Sequence, residues 1–93
     1  MTLYLICYDI TNDSRRTKVA KLLEAYGLRI QKSVFEVIAD EQQYSKLAQK
    51  LSKLLDLKQD QLRFYPLSER CRRDVKILGV LPEFAIADAA FIV

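Results

Sequence analysis

The sequence predicts an α+β domain, a β-sheet with two helices packed on it, in a chain of 93 residues. Three observations predict it. Apolar and aromatic residues run through Thr2–Ile10 without glycine or proline. Two segments, 14–26 and 40–55, repeat apolar residues at the i, i+3, i+4, i+7 spacing of a helix with one buried face. The stretches between and after them are rich in β-branched and aromatic residues, as strands are. With 51% hydrophobic and 29% charged residues the chain is too apolar for disorder, and its length suits one core. Residues 1–93 are therefore expected to form a single domain with its core over about 2–80.

The first strand has side chains suited to burial on both faces: Leu3, Leu5, Cys7 and Asp9 on one, Tyr4, Ile6, Tyr8 and Ile10 on the other. Thr11, Asn12 and Asp13 follow as helix-capping residues. The first helix then runs from about Ser14 to Tyr26, burying Val19, Leu22, Leu23 and Tyr26. Gly27 stands where a left-handed C-terminal cap belongs. Leu28–Ala39 reads as extended. Its apolar parity breaks near Lys32–Ser33, so it is one kinked strand or two joined by a tight reversal.

The second helix, Asp40–Leu55, has Tyr44, Leu47, Ala48, Leu51, Leu54 and Leu55 as its stripe, with Lys46, Lys50 and Lys53 off it. Gln61–Leu67 and Val75–Val80 read as strands flanking a basic loop, Ser68–Asp74. Pro66 marks an edge or a strand end. An apolar tail, 84–93, ends in Phe91-Ile92-Val93. If 28–39 is two strands, residues 2–67 read βαββαβ, the ferredoxin-like order. Two helices cover one face of such a sheet. A bare face carrying Tyr4, Ile6 and Tyr8 would be a large apolar patch, most simply covered by a second copy of the chain. The tail is expected to pair as an extra C-terminal strand with its own edge or a partner's.

The composition limits the chemistry. There is no histidine, which excludes Ser-His-Asp and Cys-His catalysis, His-ligated zinc and imidazole proton transfer. Cys7 and Cys71 are too few for a thiolate zinc site and show no secretory pattern. There is no phosphate-binding glycine loop, no dinucleotide fingerprint and no HExxH. No apolar run approaches the roughly 20 residues of a membrane span, so no membrane partner is expected and the cytoplasm is the expected compartment. The net charge of +3 is mild but unevenly spread: residues 1–36 carry six basic and four acidic groups, and 61–76 carry five and two.

Asp9 is the carboxylate that stands out, a charge closing an apolar strand. Two copies of it across a dimer axis suit Mg²⁺, which takes one or two carboxylates plus water and phosphate. Such an ion serves phosphodiester hydrolysis without histidine. Arg15, Arg16 and Lys18 fill the first turn after it, where an anionic partner would relieve their opposition to the helix dipole. Arg29, Gln31 and Ser33, in line with Phe35, form a polar-basic row ending in an aromatic, suited to a nucleic-acid backbone and a base. Arg70, Arg72 and Arg73 offer a second phosphate contact.

The segments YDI at 8–10, TNDSRRTKVAKLLEAYG at 11–27, RIQKSVFEV at 29–37 and RFYPLSERC at 63–71 together resemble the small CRISPR-associated protein of spacer acquisition, CRISPR-associated protein two. The resemblance spans nearly the whole chain. It implies a ferredoxin-like homodimer with two strands in 28–39 and the C-terminal strand completing the partner's sheet. It implies a metal-dependent endonuclease on RNA or double-stranded DNA, with Asp9 holding Mg²⁺ at the dimer axis. Tyr8, Arg16, Arg29 and Phe35 match positions tied in that family to activity or substrate contact, Tyr8 being the second catalytic candidate. It also implies a role without cleavage, in which the dimer bridges subunits of the CRISPR-associated integrase and holds prespacer DNA. An endoribonuclease toxin of a toxin–antitoxin pair, which shares the fold, is the alternative.

Overall fold

The computed structural model describes residues 1–80 and the backbone of 91–92. Four strands form one antiparallel sheet: β1 (Thr2–Asp9), β2 (Leu28–Gln31), β3 (Val34–Ala39) and β4 (Gln61–Leu67), in the spatial order β2-β3-β1-β4. Helices α1 (Asp13–Glu24) and α2 (Glu41–Leu54) complete βαββαβ, the ferredoxin-like topology. The 28–39 stretch is thus two strands, reversed at Lys32–Ser33. A register shift between Arg29 and Gln31 accounts for the broken parity.

Both long helices begin on side-chain caps. Asn12 accepts from the Arg15 amide, and Asp40 and Gln43 form a reciprocal capping box. Gly27 does not take the expected left-handed conformation; among the described glycines positive φ belongs to Gly79. Instead, a Cβ at Gly27 would stand 2.1 Å from the Glu36 carbonyl oxygen and 2.7 Å from Val37 Cγ2. Glycine is needed there because the exit from α1 crosses directly over β3.

The helices cover one face of the sheet. Ile6 and Tyr8 of β1 and Phe35, Val37 and Ala39 of β3 pack with Val19 and Leu23 of α1 and Leu47 and Leu51 of α2. At the margin Tyr4 stacks on Tyr44, ring centroids 4.6 Å apart, and both meet Phe64 edge-on. This reverses one expectation. Tyr4, Ile6 and Tyr8 lie beneath the helices, and it is the Leu3, Leu5, Cys7, Asp9 face that faces away from them. Strand alternation alone does not say which of two apolar faces a helix will choose.

Ser68–Asp74 is not a loop. Ser68 Oγ accepts from the Cys71 amide and starts a short helix, α3 (Glu69–Arg73), which touches β1 and β4. Of the expected strand over 75–80, β5 spans Lys76–Ile77. It pairs in parallel with β6 (Phe91–Ile92) of the same chain. The rest of the tail, 81–90 and 93, lies outside the described residues, and with it the expectation that the tail pairs with a partner. Among the described residues no helix is long and apolar enough to cross a membrane.

Candidate nucleic-acid interface

Asp9 is the last residue of β1 and is exposed. Its strand partner across the ladder is Gln61, and Cys7 lies opposite Arg63. Cys7, Tyr8, Asp9, Gln61, Arg63 and Tyr65 line an open concavity of about 300 Å³ at this corner of the sheet. Arg63 Nη1 donates to Tyr65 Oη at 3.0 Å. The sequence does not single out Arg63 as a site residue, and Tyr65 reads there as intermediate between a core aromatic and a base platform. Their signal is the polar alternation Gln61, Arg63, Tyr65 against apolar Leu62 and Phe64, which puts three polar side chains on one face.

The arginines at the start of α1, Arg15 and Arg16, shape this corner more than they decorate it. Arg15 makes a two-pronged pair with Asp60, Nε–Oδ2 2.8 Å and Nη2–Oδ1 3.2 Å, while Asp60 Oδ2 also accepts from the Asp56 amide. The hydrogen bond from Arg15 holds the Asp60 carboxyl below its usual range. Because Asp60 immediately precedes β4, this brace fixes the strand that carries Gln61 and Arg63. Arg16 Nη1 donates to the carbonyls of Ile10 (3.1 Å) and Thr11 (3.3 Å), and Nη2 pairs with Asp13. It therefore clamps the turn that follows Asp9. Lys18 is exposed on α1.

Tyr8 and Asp9, adjacent in sequence, point to opposite faces. The Tyr8 ring is buried, and its hydroxyl donates to the Lys32 carbonyl at 3.3 Å. Burial pushes its pKa up, against the pull of Arg29 and Arg16. It stays a protonated donor at neutral pH. Ser33 lies half-buried in the same reversal, its carbonyl accepting from the Tyr8 amide at 3.2 Å.

Phe35 is 0% exposed and presents no ring face to a base. Arg29 lies over its edge of the core, guanidinium 5.6 Å from the ring centroid, donating to the Lys32 carbonyl at 2.7 Å and reaching Glu24 at 3.4 Å. The expected row Arg29, Gln31, Ser33, Phe35 is broken. Arg29 is in register with Phe35 but Gln31 with Val34, so the bulge turns Gln31 to the other face.

The two basic segments do not meet at one end of the sheet. Leu67 pairs with Leu3 and Gln61 with Asp9, so α3 starts at the far end of β1 from Asp9, about 20 Å away at 3.3 Å per residue. Arg70 and Arg73 are exposed there, whereas Arg72 is half-buried, its Nε enclosed without an acceptor among the described residues. Arg72 is felt at Glu36, which stands half-buried opposite Leu5. Burial raises the Glu36 carboxyl above its usual value, and Arg72 only partly offsets this. A raised carboxyl binds its proton more tightly in the folded chain, so it costs stability above its folded pKa and ceases to as pH falls below the unfolded value near 4.3. Glu36→Gln is accordingly expected to raise the melting midpoint at pH 7, with the gap from wild type closing by about pH 4. A gap that is unchanged across a pH series of melts would contradict this.

As a metal ligand Asp9 is a hard oxygen donor, exposed and with no cation within 4.0 Å among the described residues, which suits Mg²⁺. The described residues of one chain hold no cluster of three metal-binding side chains.

Known proteins resemble this chain in sequence and fold. The sequence model of the family described as CRISPR associated protein Cas2 matches residues 1–75. A CRISPR-associated endoribonuclease Cas2 from Synechocystis sp. is 46% identical over 82 residues, covering 88% of this chain and 89% of that one. The crystal structure of Streptococcus pyogenes Cas2 at pH 6.5 superposes with a TM-score of 0.73 and 34% identity, covering 83% of this chain and 99% of the other. A chain of a partial Cas6-RT-Cas1–Cas2 complex superposes with a TM-score of 0.68 and 36% identity, covering 77% and 84%.

Proposed function

The chain belongs to the CRISPR associated protein Cas2 family, and from that premise we propose that it serves spacer acquisition as a homodimer bridging subunits of a Cas1-type integrase. Prespacer DNA lies along its arginine-bearing surfaces. The observation that carries this reading is the sheet face away from α1 and α2. It holds half-buried Leu5, Cys7, Val34 and Ile38 around Glu36, with Arg63 and Asp9 at its rim. Half-covered apolar side chains ringed by charge are the surface of a chain made to meet another. A second copy laid there brings the two Asp9 carboxylates toward one axis. The Cas1–Cas2 complex among the structural relatives supports the integrase partnership.

The same dimer is proposed to cut phosphodiesters, in single-stranded RNA or duplex DNA, when Asp9 of both copies holds Mg²⁺. The bound ion supplies charge stabilisation at phosphorus and lowers the pKa of water. The chain's own residues do the rest: Arg16 fixes the turn after Asp9, Tyr8 donates a hydrogen bond that holds the β2–β3 reversal, and Lys18 and Arg29 add positive charge near the incoming backbone.

A two-chain mass by light scattering at micromolar concentration is the expected result, together with co-elution with the cognate integrase. A one-chain mass, or no co-elution with or without duplex DNA, would refute the bridging role.

A further inference from the structure

Four arginines border the Asp9 corner, and three are already committed. Arg15 is spent on Asp60, Arg16 on Asp13 and two carbonyls, and Arg29 on Glu24 and the Lys32 carbonyl. Arg63 differs. Among the described residues no carboxylate lies within 4.0 Å of it, and its hydrogen bond is the one it donates to Tyr65. It is exposed, and it is the cation in the lining of the concavity that Asp9 shares.

The sheet fixes where Arg63 stands. It lies directly across from Cys7, and so diagonally from Asp9, with about 7–8 Å between the two positions in an antiparallel pair. Tyr65, two residues along the same face, restrains the guanidinium from one side, which reduces the side-chain freedom that must be lost on binding. A guanidinium has five N–H donors in a planar fork that matches phosphate oxygens, and here most of them are unused.

We infer that Arg63, steadied by Tyr65, is a phosphate-binding residue that positions a nucleic-acid strand against Asp9. The inference rests on the proposed reading of Asp9 as the reactive corner, but phosphate binding by Arg63 is measurable without any metal. The chemical class of ligand is a phosphodiester backbone. Tyr65 lies opposite Leu5 on the face proposed to meet the second copy, and its part is to hold the Arg63 guanidinium at the rim.

The test is fluorescence anisotropy with labelled single-stranded RNA and a labelled DNA duplex, in EDTA, over a salt series. Wild type is compared with Arg63→Ala, Arg63→Lys, Tyr65→Phe and Asp9→Ala. Arg63→Ala is expected to weaken binding about tenfold and to reduce the slope of log K against log salt by about 0.7–0.9, one phosphate contact. Arg63→Lys keeps the slope and loses part of the affinity, since lysine is a point charge without the fork. Tyr65→Phe weakens binding by a smaller factor at unchanged slope. Melting midpoints and masses of all variants should match wild type.

Binding and slope unchanged in Arg63→Ala, while Asp9→Ala still loses cleavage, would overturn the inference and leave the Asp9 reading standing. Weaker binding in Arg63→Ala together with intact cleavage in Asp9→Ala would do the reverse. Loss of binding that tracks a change in mass would assign Arg63 to the contact between copies and overturn the proposal. Wild type that binds neither nucleic acid would overturn both.

Discussion

Phe35→Ala is expected to lower the free energy of unfolding by about 3–5 kcal/mol, the usual cost of deleting a fully buried phenylalanine. The ring is 0% exposed and sits where β3 meets β1 beneath both long helices. Domains of this size have about 5–15 kcal/mol in total, so the variant retains little margin. Urea denaturation read by far-ultraviolet circular dichroism measures it. The companion variant Phe35→Leu keeps most of the volume and is expected to stay folded, with nucleic-acid binding at the wild-type level. Binding lost in fully folded Phe35→Leu would show that binding depends on the ring itself, by contact or through the Arg29 guanidinium over it. The pair of variants separates two meanings of an essential residue. A side chain that shapes the core under Arg29 will score in an activity assay just as a true contact does.

The second large effect concerns Asp9. Because Asp9 is exposed at a strand end, Asp9→Ala is expected to leave the fold and the melting midpoint close to wild type. Removing the carboxylate that would hold the ion is expected to cut phosphodiester hydrolysis by at least about 100-fold, a barrier increase near 2.7 kcal/mol. Binding in EDTA should be unchanged or tighter, since one negative charge has left a phosphate-facing rim. In cells the expected outcome is different: spacer acquisition continues, because bridging and clamping need no cleavage. Acquisition abolished by Asp9→Ala in a stable, dimeric protein would make cleavage part of acquisition. Wild type that cuts neither RNA nor DNA across a metal and pH series would remove the endonuclease half of the proposal.

The frame of the fold is legible in the sequence wherever periodicity is uninterrupted. The α2 stripe and the strand over Gln61–Leu67 are found where the spacing puts them, and Pro66 does lie on an edge strand. Legibility fails where one residue changes the phase. The bulge beside Ile30 rotates Gln31 away from Arg29, and nothing in the residue types announces it. Ser68 followed by Glu69 is a helix start that the surrounding arginines disguise as a polar loop. Gly27 can be read from the sequence as a glycine that must be glycine, but not for which of glycine's two properties.

The site was legible in part for the same reason. Asp9 stands out because its neighbours on the strand are apolar, a strictly local contrast. Arg63 has no such contrast within its own segment. It becomes notable through its register against Cys7 and through the absence of a carboxylate beside it, and both are facts about other strands. Arg15 illustrates the converse. From sequence it is one of a cationic trio, yet its partner is Asp60, which no local rule brings together with it.

The strand order has a consequence for how the molecule comes into being. β1 precedes the other strands of its sheet in the chain and lies inside that sheet, flanked by β3 and β4. During translation this strand emerges before either of its partners. β3 can close on it once Ala39 is out, but the other side of β1 stays unpaired until Gln61–Leu67 has been made. Such distant pairings carry the largest loop-closure entropy in the fold and are slow to form. The nascent chain therefore spends most of its synthesis with one edge of β1 open to any other extended chain, including another copy from the same polysome. An unpaired edge of this kind is where nascent chains associate before they fold.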